Sequence, residues 1–144
     1  YPKEESEKRI MDENVTFKSL EDIPLKTIGS PKKILDMQKL THKIYLDDKI
    51  KKYILDIIWK TRNKDFKYGE YIELGGSPRA SIFLFVAAKA EALLRGRNYV
   101  IPADVDKIAA DVLRHRIILS YRAKAEGLDS DKIVNEILKN VKAP

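Results

Sequence analysis

Residues 75–94 read GGSPRASIFLFVAAKAEALL, and their reading decides the fold. Serine followed by proline is a helix start: Ser77 stands as N-cap, and Pro78 takes the first helical position, where its fixed φ suits the helix and its missing N–H costs nothing. From Ile82 to Leu94 almost every residue is aliphatic, aromatic or alanine, with Lys89 and Glu91 the exceptions. A helix apolar on all sides belongs at the centre of a bundle. Gly75 and Gly76 let another backbone or a ligand approach the turn closely. Arg79 breaks the pattern. It places a cation in the first turn, where aligned peptide dipoles already carry roughly half a positive charge, so it is locally unfavoured by up to ~1 kcal/mol. Such a turn attracts anions through its free N–H groups, and a guanidinium there grips phosphate or carboxylate with two hydrogen bonds. The structural alternative is an arginine that extends to solvent or pairs with a nearby acid.

On the N-terminal side, residues 1–14 read as a helix opened by Pro2, with Glu4 and Glu5 early and Lys8 and Arg9 later, an order that complements the helix dipole. Residues 15–29 carry spaced apolar residues (Val15, Phe17, Leu20, Ile23, Leu25, Ile28) with Pro24 and Gly29, a lightly anchored connector. Ser30-Pro31 starts another helix, with Ile34, Met37 and Gln38 on one face. Ile44, Tyr45 and Leu46 are β-prone and suggest one small strand. Asp47 caps the next helix, where Ile50, Tyr53, Ile54, Ile57 and Ile58 recur at i, i+3, i+4, i+7 and i+8. That helix ends near Arg62-Asn63; residues 64–68 form a polar loop and 69–74 run extended.

On the C-terminal side, Gly96 ends the apolar helix in a left-handed conformation. Pro102 begins a helix with Val105, Ile108, Ala109, Val112 and Leu113 on one side. Residues 117–121 are β-prone, Gly127 breaks the chain, and Asp129 caps a final helix carrying Ile133, Val134, Ile137, Leu138 and Val141. The fold expected is mainly α, a bundle of about five helices with a minor β element and a core running from Ser30 to Val141.

The whole is 144 residues long, a one-domain size, with 44% hydrophobic residues, 35% charged against about 25% on average, and no cysteine. Disulfides, thiolate metal sites and a cysteine nucleophile are excluded, which fits a reducing, cytoplasmic setting. No apolar run reaches the ~20 residues that span a bilayer, so no membrane partner is expected. The chain opens on Tyr1 without a signal-peptide pattern, which reads as a segment of a longer chain or a processed product. The net charge of +6 admits an anionic partner, although the charges mostly alternate in sign as on a solvated helical surface.

Catalytic constellations are missing. His42 and His115 sit in no metal-ligand pattern, GGSPR is not the GxSxG of a nucleophile elbow, and there is no GxxxxGK[ST] loop. Asp47, Asp48, Asp104 and Asp106 fall in first turns, where acids are expected for dipole reasons. No metal site is expected. Arg114 and Arg116 flank His115 and could anchor the last helix or face a partner.

GGSPRAS at 75–81, followed by AAKAEALLRGRNYVIPADV at 87–105 and VLRHRIILSY at 112–121, resembles the C-terminal lid of the MoxR-family AAA+ ATPases. SPKKILDMQKLTHKIYLDDKIKKYILDIIWKTR at 30–62 is similar to the preceding part of that lid, and YPKEESEKRI at 1–10 to the segment leaving the ATPase core. The resemblance implies residues 1–29 as the end of the core with its connector, and 30–144 as the helical lid. It implies that Arg79 is the sensor-2 arginine reaching the γ-phosphate of ATP, with Gly75, Gly76, Ser77 and Pro78 as the supporting helix start. ATP and its Mg ion would be held by an upstream core, the segment alone hydrolysing nothing. The implied parent is a chaperone-like ATP hydrolase in a ring, a hexamer, whose partners are its own core, neighbouring subunits and clients, with von Willebrand A-domain proteins a family association. Ile101 and Ala103 depart from the family's usual polar N-cap and acid. The rival is a free-standing basic helical module binding nucleic acid or a protein partner; the apolar 78–95 helix and the acids at 104, 106 and 111 argue against nucleic acid.

Overall fold

The computed structural model describes residues 2–15 and 24–144. The chain divides into two compact units, Tyr1–Ile34 and Leu35–Pro144. In the first, α1 spans Glu4–Val15 with Glu4, Glu5 and Glu7 in its first turn, the acid placement that a helix N-terminus favours. Of the connector expected over 15–29, residues 16–23 lie outside the described residues. α2 spans Pro31–Lys43, with the Lys33 N–H donating to Ser30 Oγ at 3.3 Å as the serine cap requires.

None of the α2 residues is buried. The core therefore begins at Ile44 and not at Ser30. The expected strand at 44–46 is also absent: Ile44 and Leu46 turn inward, while Tyr45 makes a single parallel bridge to Tyr99, its N–H donating to the Asn98 carbonyl and its own carbonyl accepting from the Val100 N–H. One bridge is all this short run can make, because Asp47 caps the next helix immediately after it.

That helix, α3 (Asp48–Asn63), buries Ile50, Tyr53, Ile54, Ile57, Ile58 and, one turn further, Thr61. Asp47 accepts from the Lys49 N–H, and Lys64 ends the helix in the left-handed region at φ 61°. A 3₁₀ turn at Gly69–Tyr71 replaces the first half of the extended run expected there. β1 (Ile72–Leu74) follows, then α4 (Pro78–Leu94) and α5 (Pro102–Leu113). β2 (Ile118–Leu119) pairs antiparallel with β1, Ile72 opposite Leu119 and Leu74 opposite Ile118. Of the β-prone run 117–121, only Ile118 and Leu119 form the strand. Tyr121 opens a short helix, α6 (Tyr121–Ala125), which Ser120 caps by accepting from the Ala123 N–H. α7 (Ser130–Asn140), capped by Asp129, closes the chain on Ile133, Val134 and Ile137, all fully buried.

The described residues thus form seven helices and one small two-stranded sheet, the mainly α architecture expected. α4 packs most extensively on α5, and α5 in turn on α7. α4 is not enclosed on all sides, however. Its buried residues are Ala80, Leu84, Ala88 and Ala92, a single row spaced four apart. Three small side chains in that row let the neighbouring helix approach closely. The bulky Ile82 and Phe83 are 61% and 49% exposed, and Leu55 and Trp59 on α3 are exposed as well. Lys51, Ile54, Leu55, Ser81, Ile82 and Phe85 line a shallow groove between α3 and α4.

Candidate functional site

The turn that carries Arg79 is fixed by the end of α3. Gly76 is held on both sides of its peptide chain. Its N–H donates to Thr61 Oγ1 at 2.9 Å, and its carbonyl accepts from Arg62 Nε at 2.7 Å. Thr61 is fully buried, and its hydroxyl donates to the Ile58 carbonyl at 2.6 Å, so its lone pairs face the incoming Gly76 N–H. Arg62 lies against the Trp59 ring, 5.3 Å from its centroid. A Cβ on Gly75 would sit 2.6 Å from the Thr61 carbonyl oxygen. The glycine pair therefore admits a backbone, that of α3. Sequence reading left this clamp unseen. Thr61 extends the apolar stripe of α3 by one turn, and that placement of a hydroxyl was the available signal.

Ser77 occupies the N-cap position with extended backbone, yet its side chain makes no capping bond, and no acid stands in the first turn of α4. The reading of Ser77 as a side-chain cap is therefore corrected. The Gly76 clamp sets the entry angle; within the first turn Pro78 has no N–H and the Ala80 N–H donates to the Ser77 carbonyl at 2.8 Å. Arg79 is exposed, and among the described residues it makes no hydrogen bond, ion pair or ring contact. Gly75, Gly76, Ser77, Pro78 and Arg79 form one turn, held through Gly76.

Arg114 and Arg116 have different surroundings. Arg114 Nε donates to Asp131 Oδ1 at 2.9 Å, and another of its nitrogens lies 3.0 Å from Asp111, which joins α5 to α7. Hydrogen bonding to Asp131 first, and the charge of both acids, hold its guanidinium further above its ordinary range. The Arg116 guanidinium lies over Phe83, 4.3 Å from the ring centroid, with a buried Nε that has no acceptor. His42 and His115 are exposed.

At the other end of α4, the missing polar cap at Ile101 has a substitute. Asp104, 4% exposed, accepts from the Ile101 N–H at 2.9 Å and takes a two-pronged grip from Arg97. Burial opposes its ionisation, but the Arg97 and Ile101 hydrogen bonds outweigh it and hold the carboxyl below the usual range. Gly96, at φ 71°, makes the reversal that brings Arg97 to this position. Arg97 and Asp104 brace the α4–α5 hairpin, whose other end presents Arg79.

Among the described residues no group of three His, Asp or Glu could hold a metal ion, and no helix is long and apolar enough to cross a membrane.

Residues 68–137 match the AAA lid domain family. The chain is 44% identical over 108 residues to the uncharacterized protein YeaC of Bacillus subtilis, covering 75% of this chain and 32% of that protein. It is 34% identical over 125 residues to the chaperone MoxR1 of Mycobacterium tuberculosis, covering 83% of this chain and 33% of that one. A crystal structure of a candidate ATPase from Cytophaga hutchinsonii superposes with a TM-score of 0.79 at 32% identity, over 100% of this chain and 44% of that one. The chain spans about a third of the length of these curated relatives. Residues 68–137 are an AAA lid domain, in a chain related to the MoxR proteins.

Proposed function

We propose that this chain is the lid of a MoxR-like AAA+ ATPase and that Arg79 reaches the γ-phosphate of ATP bound by the rest of that ATPase. The observation that carries the reading is an exposed cation with no partner among the described residues, presented on the first turn of α4 by a clamp built from α3. Energetically such an arginine is at odds with the dipole of its own helix, and a phosphoryl oxygen supplies the missing negative charge. The segment's residues fit the phosphate and not its metal: no described cluster of acids is available for Mg, so that ion would be held elsewhere. ATP, when bound, supplies the phosphoryl group; the part played by this chain is to place a guanidinium fork against it and to close over it. Closure of a lid on bound ligand, released once the differential contact is lost, is a common form of domain motion.

The parent reading draws on the family resemblance, with a chaperone among the relatives: a ring-forming, chaperone-like ATPase that remodels or activates client proteins, with its core and neighbouring subunits as the partners of this lid. The exposed Leu55 and Ile82 along the groove between α3 and α4 support a lid that packs on another protein surface. Arg79→Ala in the full-length ATPase tests the site. ATP turnover is expected to fall by about 10²-fold or more, the scale of removing one charged contact to the reacting phosphate, with the thermal unfolding of the lid unchanged. An unaltered hydrolysis rate would sink the assignment.

A further inference from the structure

We propose that Arg116 is a second arginine of the phosphate site, sharing one phosphoryl oxyanion with Arg79; the inference rests on the lid reading above. Arg116 lies three residues beyond the end of α5 at Leu113, where the α4–α5 hairpin returns to the first turns of α4. Its guanidinium carbon stands 4.3 Å from the centroid of Phe83. Phe83 follows Arg79 by four residues, so the two occupy neighbouring positions on one helix face. Two residues remote in sequence therefore bring two guanidinium groups to the same end and side of α4.

The surroundings of Arg116 lack an acceptor. Arg114, two residues earlier, is neutralised by Asp111 and Asp131. Arg116 has no ion pair or hydrogen-bond acceptor for any guanidinium nitrogen among the described residues, and its Nε is buried. The Phe83 ring attracts the cation but accepts no conventional hydrogen bond from its N–H groups in the guanidinium plane. A buried donor on a charged group left without an acceptor is costly and calls for an explanation. Arg79, on the same face, has no partner among the described residues either, and like charges raise each other's energy.

One oxyanion relieves all three costs. A carboxylate has two oxygens, which a single arginine fork occupies. A phosphoryl group offers three, enough for two guanidinium groups at once, and Arg is suited to that geometry where Lys is not. The arrangement therefore fits the terminal phosphoryl group of a nucleotide; with Arg79 on the γ-phosphoryl, as in the lid reading, a diphosphate is too short by one phosphoryl group to reach the pair. Phe83, half exposed, serves as the platform that keeps the Arg116 fork in plane.

The test is equilibrium binding of ATP and ADP to the full-length ATPase, with Arg79→Ala, Arg116→Met, Arg116→Lys and the Arg79→Ala/Arg116→Met double variant. Arg116→Met keeps an apolar stem on Phe83 and removes the fork; Arg116→Lys keeps charge and removes planarity. Both are expected to weaken ATP binding by about tenfold, one charge-assisted contact, while ADP binding stays within about twofold. The double variant is expected to lose less than the product of the two single losses, because both arginines grip one group. Loss of ATP-over-ADP preference in Arg79→Ala with none in the Arg116 variants overturns this inference alone. Loss in neither overturns the sensor reading and this inference together, and loss in the Arg116 variants only overturns the shared site. If Arg116→Met does not fold, Arg116→Lys alone decides by the same ATP-to-ADP ratio.

Discussion

Arg79 and Gly75 show how single positions answer to different constraints. Arg79 violates the helix rule that acids belong in first turns, and nothing else in the described protein compensates it; a violation of that kind marks function more often than error. Gly75 obeys a steric rule: its α-carbon passes so close to Thr61 that a Cβ would meet the carbonyl oxygen at 2.6 Å. Gly75→Ala is expected to destabilise the lid by about 2–3 kcal/mol, since a backbone and not a flexible side chain must give way. Urea titration of the purified chain measures it, and a loss under ~0.5 kcal/mol would show that the turn has slack. Thr61→Val keeps the shape and removes the acceptor of the Gly76 N–H, with an expected cost of about 1–3 kcal/mol. A loss confined to stability, with ATP-over-ADP preference intact in the folded ATPase, would mean that the clamp holds the fold without aiming Arg79.

At the scale of elements, the α4–α5 hairpin depends on one acid. Asp104 caps α5 in place of a polar residue at 101 and anchors Arg97 across the turn. Its carboxyl is held below the ordinary range, so the stability it contributes is fully present above the unfolded pKa of about 3.9 and is lost as pH falls through the folded value. Asp104→Asn is expected to cost about 2 kcal/mol at neutral pH and to flatten the loss of stability below about pH 4. Denaturation midpoints across pH 2 to 7 check both, and an acid limb as steep as that of the unmutated chain would assign it to other carboxylates. α7 is attached differently, by apolar contact through Ile133, Val134 and Ile137 and by the Arg114–Asp131 pair. Ile137→Ala is expected to cost about 2–5 kcal/mol, the range for emptying a fully buried aliphatic site, whereas Asp131→Asn, at an exposed pair, is expected to cost less than about 1 kcal/mol. Hydrogen exchange of the α7 amides separates the two.

At the scale of the whole molecule, the net charge of +6 is spread over a surface on which many cations stand beside acids. Lys51, Lys52, Lys60, Arg95, Arg97, Arg114 and Arg122 are each within ion-pair distance of an acid. A protein making six to ten phosphate contacts loses about 10³–10⁵ in duplex affinity between 50 and 200 mM salt. Here any DNA affinity is expected to be weak and to fall by less than ~10² over the same range. Fluorescence anisotropy with a labelled duplex measures this, and a steep salt slope would restore the rival reading. By itself the sequence determined the helix starts at Pro31, Asp48, Pro78 and Pro102, the buried stripes of α3, α5 and α7, and the anomaly at Arg79. Each is local, written in capping residues and in a 3.6-residue period. Tertiary structure alone decided which side of α4 is buried, because an all-apolar helix has no period to read and the alanine row wins by allowing close approach. It also decided that Gly76 is clamped by Thr61 and Arg62, and that Arg116 meets Phe83 beside Arg79. Those contacts join residues far apart in the chain, and only the reversal of α4 onto α5 and of β1 against the end of α3 brings them together.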